Sequence, residues 1–330
     1  MRKKSILGIF IAILAIGAAS GALLDQYVSV TGESHVQQSV VFEDNTVSKS
    51  FSFDGGTMSA GTYVDAFTIK NRAETQEVVR LNTTQFSDLD GDGNWDEGPN
   101  VEGVNTDYIY TVNSSDEYES GTWHYDALIT TAGPKQLENL GGISFEGKSV
   151  KSDESDYKSP LWFEIQLDRD GVEPTKSFAE VEGNYAYAEG MDAQAVGSLE
   201  KLNNDSWQTR NLNTMSDDWD LYLPDGTTCG PNSVDAGEVV GTDVPYCNYA
   251  SLSDIQTDYP STVLAKLIEV DSNETVKIKD YTVNGVSAEE GLFLGTTGCN
   301  EGHLDFEIIN DFDVALEPGT YNVTTEVVPQ

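Results

Sequence analysis

Basic residues are scarce in this sequence. The 330 residues include 18 Lys and Arg against 56 Asp and Glu, which gives a formal net charge of -38. Nucleic acids are bound through clustered Lys and Arg that displace counterions from phosphates, and anionic membrane surfaces attract the same residues. The composition therefore excludes nucleic acid as a partner, and contact with a membrane is left to the apolar N-terminal segment.

Histidine is also rare, and the familiar catalytic motifs are missing. The side chains best suited to general-base catalysis near neutral pH are His35, His124 and His303. The sequence contains no G-x-S-x-G, H-E-x-x-H or phosphate-loop motif. The adjacent pair Glu289-Glu290 has the residue type of a glycosidase site, but 56 acidic residues make such pairs common. We therefore predict that the chain is not an enzyme.

Long apolar runs are missing as well, except at the N-terminus. Three basic residues at positions 2–4 precede an apolar stretch at 6–16, and small residues follow at 18–22. This order is typical of a cleaved secretory signal peptide, which we predict over residues 1–24. An uncleaved membrane anchor is the alternative, because residues 6–24 approach the ~20 needed to cross a bilayer. We expect the protein to be secreted to the cell surface or the medium.

In an exported chain, the acidic excess also indicates the salt concentration of the surroundings. Carboxylates keep a surface hydrated in concentrated salt, and counterions there screen the self-repulsion of a highly charged protein. We therefore expect a halophilic microbe, of archaeal type, as the source.

Short β-prone segments dominate the rest of the sequence. They are rich in β-branched or aromatic residues, often alternate between apolar and polar, and are separated by clusters of Gly, Asn, Asp, Ser and Pro. The predicted strands are residues 63–69, 77–81, 108–112, 123–130, 161–167, 263–270, 276–283, 304–309 and 321–328. Only residues 192–202 resemble a helix. We predict an all-β protein, an antiparallel jelly roll or β-sandwich with long loop insertions.

The domain organisation is predicted to be simple. No Pro- or Gly-rich linker and no internal repeat divides residues 51–330, which we assign to one β-sandwich domain. Residues 203–262 are less regular, and we interpret them as an insertion across one end of the sandwich. This insertion holds Cys229 and Cys247, whose setting in an exported protein predicts a disulfide. Cys299 is then left to cross-link subunits, to pair with one of the other two, or to stay reduced.

The most specific local motif is the acidic segment at residues 88–97. Asp at its first, third and fifth positions and Gly at its sixth allow a tight turn to direct several oxygens inward, as Ca²⁺ requires. Pro99 stands where an EF-hand has its bidentate Glu, so we predict a structural calcium loop on a β-scaffold. A solvated acidic turn is the alternative. The predicted ligands are Asp88, Asp90, Asp92, Asn94, Asp96 and Glu97.

Residues 55–71 carry a recognisable pattern. A turn of small residues with Gly leads into an alternating strand that ends in Lys70-Asn71, and a second strand follows at 76–82. A polar β-prone segment directly after the signal peptide and a C-terminal strand entered through residues 316–321 accompany it. Together these features resemble the TasA/camelysin family. The resemblance implies a jelly-roll subunit of extracellular fibres, in which an N-terminal strand of one copy completes the sheet of the next.

The residues at the start of the mature chain permit such an exchange independently. Residues 25–50 contain β-prone segments at 28–30 and 36–42, joined by a polar turn. A terminal strand can pair with its own sheet or with a neighbour's exposed edge, and the sequence leaves both open. The side chains predicted to fill a neighbour's core are Val28, Val30, Val36, Val40 and Phe42.

These observations lead to an expectation about function. We expect a secreted structural subunit of extracellular filaments, pili or a surface layer, which is stabilised by calcium and has itself as its main partner. Other surface proteins or glycans are further candidate partners. The alternative is a monomeric adhesin or carbohydrate-binding module, with aromatic residues such as Trp207 and Trp219 in its groove. N-glycosylation is allowed by sequons at Asn82, Asn113, Asn204, Asn273 and Asn322.

Overall fold

Antiparallel strands make up most of the described residues in a computed structural model of the chain. The described ranges are 38–55, 61–115, 124–126, 128–150, 158–168, 193–203, 206–212, 215–223, 228–238, 245–259, 264–271, 275–295, 302–312 and 316–330. Within these ranges, no helix has the length and apolar character needed to cross a membrane. The predicted signal peptide at 1–24 lies outside them.

Twenty strands lie in the described part of the chain. In chain order they are β1 (Val40–Phe42), β2 (Ser48–Gly55), β3 (Gly61–Asn71), β4 (Glu77–Asp88), β5 (Val104–Ser115), β6 (His124–Asp126), β7 (Leu128–Thr130), β8 (Ile143–Ser149), β9 (Lys158–Asp168), β10 (Ala193–Asn203), β11 (Gln208–Asn211), β12 (Met215–Tyr222), β13 (Asp235–Glu238), β14 (Pro245–Tyr249), β15 (Leu264–Asp271), β16 (Val276–Val283), β17 (Val286–Ser287), β18 (Leu292–Leu294), β19 (His303–Phe312) and β20 (Gly319–Pro329). One short helix, α1 (Leu252–Asp258), and two 3₁₀ turns, Leu137–Asn139 and Ala288–Glu290, accompany them.

The strands form two sheets. The smaller sheet runs β1-β3-β19-β5-β16-β8-β11, with β17 attached to β16 and β6 to β5. The larger sheet runs β13-β14-β12-β10-β9-β15-β7-β18-β4-β20-β2. Side chains alternate in burial along β8 and β20, so each sheet turns one face inward and one outward. The prediction of an all-β antiparallel sandwich is confirmed.

Apolar side chains from both sheets meet in a shared core. Phe145 of the smaller sheet packs edge-on against Phe163 of the larger sheet, with ring centres 5.7 Å apart. Tyr281 contacts Phe145 from the same sheet, at 6.2 Å. A separate cluster around Phe53, Tyr321 and the loop at Val101 fills the end of the sandwich near β2. Burial of these large side chains is the main stabilising contribution to folding.

The segment predicted as a helix, residues 192–202, is instead strand β10 in the middle of the larger sheet. Leu199 and Leu202 are both buried although they lie three positions apart, a spacing that is typical of a helix. The spacing arises because the pairing of β10 with β9 shifts between these two residues. Such an irregularity inserts an extra residue and returns the next apolar side chain to the same face. The helix prediction was therefore wrong because a bulge imitates the helical period.

Residues 203–262 are more regular than the sequence analysis anticipated. They contain β11 at the edge of the smaller sheet, and β12, β14 and β13 extend the larger sheet beyond β10. Trp219 of β12 and Tyr249 of β14 are buried in the main core. The described strands of this region belong to the sheets and do not form a loop across one end of them.

Arg210 connects the two sheets on the side where β10 and β11 meet. Its guanidinium donates to the carbonyl oxygens of Glu200 and Lys201 in β10, both at 2.7 Å, and to that of Thr209 in β11 at 2.9 Å. A further bond reaches the side chain of Gln208 at 2.6 Å. Burial lowers the pKa of Arg210 from its ordinary value. The planar fork of donors suits this site because a Lys ammonium cannot reach several separated carbonyls at once.

We predict that Arg210→Met lowers the free energy of unfolding by roughly 2–4 kcal/mol, because partly buried carbonyl oxygens of β10 and β11 lose their donors. Methionine keeps much of the apolar stem, so the loss reports on the hydrogen bonds. Urea denaturation provides the measurement, and Arg80→Met, at an exposed position of β4, is the matched control. Equal losses for the two variants would show that Arg210 does not connect the sheets energetically.

Candidate functional site

The acidic segment at 88–97 forms a loop that leaves β4 and returns to it. Ser87 and Glu97 pair as an isolated bridge, in which the Ser87 N–H donates to the Glu97 carbonyl at 3.0 Å. The Asp96 N–H donates to the Ser87 carbonyl at 2.7 Å. These bonds close the base of the loop and bring its first and last acidic residues together.

Three of the predicted calcium ligands, Asp88, Asp90 and Asp96, converge in this loop. One carboxylate oxygen of each lies within 4.8 Å of the others. The Asp88 carboxylate accepts bonds from the N–H groups of Gly91 at 2.7 Å and Gly93 at 3.0 Å. Both glycines have a positive φ, of 73° and 86°, which a residue with a Cβ rarely adopts. The arrangement offers hard oxygen ligands to a divalent cation.

The other predicted ligands lie outside that group of three. The Asp92 carboxylate accepts from the Asn94 side chain at 2.9 Å and from the Asn94 N–H at 2.7 Å. These bonds, the side-chain one first, hold the pKa of Asp92 below its ordinary value. Glu97 takes part in the bridge to Ser87. The structure therefore brings together Asp88, Asp90 and Asp96, while Asp92 and Asn94 bind each other.

Trp95 lies in the same loop, next to its closed base. Its side chain is 51% exposed, and its ring lies 5.7 Å from that of Phe86 on β4. An exposed indole beside a group of carboxylates offers an apolar surface next to hydrogen-bond acceptors.

Among the predicted donor-strand residues, only Val40 and Phe42 lie within the described residues, whereas Val28, Val30 and Val36 lie outside them. Val40 and Phe42 belong to β1, which pairs with β3 of the same chain, and both are fully buried. The Phe42 ring contacts Phe67 at 5.7 Å and Phe306 at 6.4 Å. In the single chain, these two residues fill their own core.

β1 covers only one end of β3. It has three residues against eleven in β3, and the last bond between them runs from the Glu43 N–H to the Thr68 carbonyl at 2.9 Å. Because backbone groups alternate in direction along a strand, those of Ala66, Val64 and Thr62 point to the same side as Thr68. No other strand in the described part of the chain pairs with this side of β3. The Ala66 N–H donates to the Asp65 carboxylate at 3.0 Å, and Val64 is 49% exposed.

Two cavities lie beside this open edge. The larger, of about 650 Å³, lies where β1 ends, between aromatic side chains and several carboxylates. The smaller, of about 200 Å³, lies between the edges of the two sheets, with Phe51 and Val323 on one side and Ile308 on the other. Lys49 and Phe67 line both cavities.

Cys229 and Cys247, the predicted cysteine pair, form a disulfide that ties the segment at 228–230 to β14. Cys299 lies outside the described residues.

The candidate glycosylation sites are only partly described. Asn82 and Asn322 lie on strands β4 and β20, at positions that alternate with the buried residues Leu81 and Val323. Both therefore belong to the outer face of the larger sheet. The side chain of Asn113 and the residues Asn204 and Asn273 lie outside the described part.

The aromatic residues expected in a carbohydrate groove have other roles. Trp219 is buried in the core. The Trp207 ring is covered by the ammonium groups of Lys148 and Lys279, at 4.9 and 5.1 Å from its centre.

Sequence analysis did not anticipate the environment of Glu289. Its carboxyl accepts a bond from the Tyr110 hydroxyl at 2.8 Å, and Tyr110 is fully buried. Burial is the main cause that raises the pKa of Glu289 above its ordinary value. The neighbouring Glu290 is exposed, so the two carboxylates that suggested a glycosidase pair lie in different environments. No motif could have distinguished these two adjacent acids.

Comparison with known proteins adds little. No known family model matches the sequence, and no curated protein matches it. A solved structure described as that of infectious bursal disease virus Gt strain is similar over 83% of this chain and 82% of its own, with 8% identity and a TM-score of 0.08. A TM-score this low carries no argument about fold or function. The resemblance to the TasA/camelysin family therefore stays a hypothesis.

We predict that Glu289→Gln stabilises the protein increasingly as the pH rises. Below the ordinary pKa of 4.5 the carboxyl is protonated in both the folded and the unfolded chain, and it contributes no pH dependence. Above that pH the unfolded chain ionises first, so the free energy of unfolding falls until the pH passes the raised folded pKa. Glutamine removes this loss and still accepts the Tyr110 bond.

Melting temperatures at pH 4, 6 and 8 test this prediction, with Glu290→Gln as the exposed control. An equal gain for Glu289→Gln at pH 4 and pH 8 would contradict it.

Proposed function

We propose that this chain is an exported structural subunit that assembles with copies of itself into extracellular filaments or a surface layer. In this assembly, the N-terminal segment of one copy pairs with the open edge of β3 in the next. The observation that carries the proposal is the short reach of β1, which leaves the backbone groups of Val64 and Thr62 without a strand among the described residues. An edge of this kind is a template for pairing with another chain.

The path of the chain explains why the edge is open. After Glu43 the chain turns away from β3 and crosses to β2, at the edge of the other sheet. The gap between these two edges is the smaller cavity, whose lining includes Phe51, Ile308 and Val323. An added strand would direct alternate side chains into this gap. Val28 and Val30 lie two positions apart and would therefore point to the same side.

A structural calcium ion in the loop at 88–97 is the second part of the proposal. Mutual repulsion of the Asp88, Asp90 and Asp96 carboxylates disfavours their convergence, and a divalent cation between them would remove this cost. The loop lies at the end of β4 and is bonded to Ser87 of that strand. The cation would therefore stabilise this end of the larger sheet.

We expect Asp90→Asn to weaken Ca²⁺ binding at least about tenfold, because it removes a charge from the converging group. Asp92→Asn should have a smaller effect, since the Asp92 carboxylate binds Asn94 instead. Isothermal titration calorimetry of the two variants and the parent protein gives the comparison. Absence of binding in the parent, or identical affinities in all three proteins, would refute the calcium site.

The assembly itself is tested by negative-stain electron microscopy of the mature protein at high salt, with and without Ca²⁺. We expect polymers from the parent protein and none after deletion of residues 25–37. The deletion stops before β1, because β1 belongs to the protein's own core. Val64→Pro should also prevent polymers, since proline removes an N–H from the open edge and is tolerated on edge strands.

Val64→Thr is the matched control, because it keeps both the N–H and the β-branched shape. Melting temperatures verify that each variant is folded. Polymers that persist in both the deletion and the proline variant would rule out pairing at this edge.

A carbohydrate-binding module is the second candidate, and the exposed Trp95 beside the acidic loop favours it. A parent protein that stays monomeric and is stabilised by sugars against heat would support this candidate over assembly.

A further inference from the structure

Lys49, the second residue of β2, lies at the junction of the two cavities and contacts β1. Its ammonium group lies 5.5 Å from the ring centre of Phe42 and 5.8 Å from that of Phe67. It also forms an ion pair with Asp44. A cation over two aromatic faces is attracted by both rings. Lys49 therefore joins β2 to β1 and β3 across the open side of the sandwich.

The turn between β1 and β2 is ordered around the same ion pair. The Asp44 carboxylate accepts from the Thr46 hydroxyl at 2.7 Å and from the Thr46 N–H at 3.2 Å. Backbone bonds join Phe42 to Thr46 at 2.9 Å and Asn45 to Phe42 at 2.8 Å. Asn45 has a φ of 69°, in the left-handed region that asparagine tolerates. Residues 43–47 thus form a defined turn, and Asp44 fixes both the turn and Lys49.

This turn is where the chain must bend differently if β1 is to leave its own β3. Phe42 would also have to withdraw from beneath the Lys49 ammonium. Its departure would open the larger cavity toward the smaller one, because Lys49 and Phe67 separate them.

We propose that Lys49 and Asp44 act as a latch that keeps β1 on its own β3 and so limits the length of β3 edge that the N-terminal segment of a neighbouring copy can reach. This inference rests on the proposed function and adds its regulation. The Lys49 and Asp44 side chains are 24% and 51% exposed, so dissolved salt screens the ion pair. High salt therefore weakens the latch and makes more of the β3 edge available to a neighbouring copy.

Lys49→Met tests the latch because it keeps an unbranched apolar stem and removes the charge. Lys279→Met is the matched control, since Lys279 also has an ion pair, with Glu146 at 2.9 Å, and a cation–π contact with Trp207. Hydrogen exchange of the amides at residues 41–43, followed by mass spectrometry on the monomer, reports the release of β1. We expect hydrogen exchange to be about three- to thirtyfold faster in Lys49→Met, because this factor corresponds to the free energy of a cation–π contact. We expect it to be unchanged in Lys279→Met.

A second measurement follows assembly by light scattering from monomer. Lys49→Met should shorten the lag several-fold, and added salt should shorten the lag of the parent more than that of the variant. Lys49→Arg keeps the charge and should behave like the parent, which separates loss of the latch from general loosening of the fold.

The two measurements distinguish failure of the latch from failure of the proposed function. Equal hydrogen-exchange rates at residues 41–43 in Lys49→Met and Lys279→Met would overturn the latch, whether or not polymers form. Faster hydrogen exchange in Lys49→Met, with no polymers from the parent protein or any variant, would support the latch and overturn the proposed function.

Discussion

Burial of the inner faces of two antiparallel sheets against each other is the constraint on which the other features of this molecule depend. Phe145 and Phe163 exemplify contacts that only a face-to-face arrangement provides. Two stacked sheets have two open sides, and in this protein different contacts are found at each side. One side is joined by the guanidinium of Arg210, which bonds to carbonyls of β10 and β11. On the other side the chain crosses from β1 to β2 and leaves most of β3 uncovered.

Several of the few basic residues lie at contacts between strands of this arrangement. In this chain the 56 acidic side chains outnumber the 18 basic ones, so few acids can pair with a basic residue. Arg210 and Lys49 lie where one sheet meets the other. Lys279 pairs with Glu146 and covers Trp207 on the smaller sheet. These three basic residues thus lie at contacts that hold separate strands together.

Much of the fold could be predicted from the sequence because its strands alternate strongly. β16 and β20, for example, follow the apolar-polar period of a half-buried strand and match the predicted segments closely. The prediction failed at β10, where a shift in pairing places Leu199 and Leu202 on one face at a helical spacing. The regularity of β12 and β14 was missed because turn-forming residues surround these short strands.

The candidate sites could likewise be predicted from the sequence only in part. The spacing of aspartates at 88–97 predicted a loop of converging oxygens, but it did not show that Asp92 would bind Asn94. That choice depends on where each side chain points after the turn is made. The open edge of β3 and the burial of Glu289 depend on contacts between residues far apart in sequence, for which a single sequence contains no local signal.

The hydrogen bond from the Ala66 N–H to the Asp65 carboxylate has a consequence for pairing at the β3 edge. It occupies one donor on this edge, so a strand added there would lack the bond from the Ala66 N–H. A segment that extends over Ala66 would therefore gain one bond fewer than its length allows. An aspartate that shields one backbone group would in this way reduce the length of edge that favours pairing.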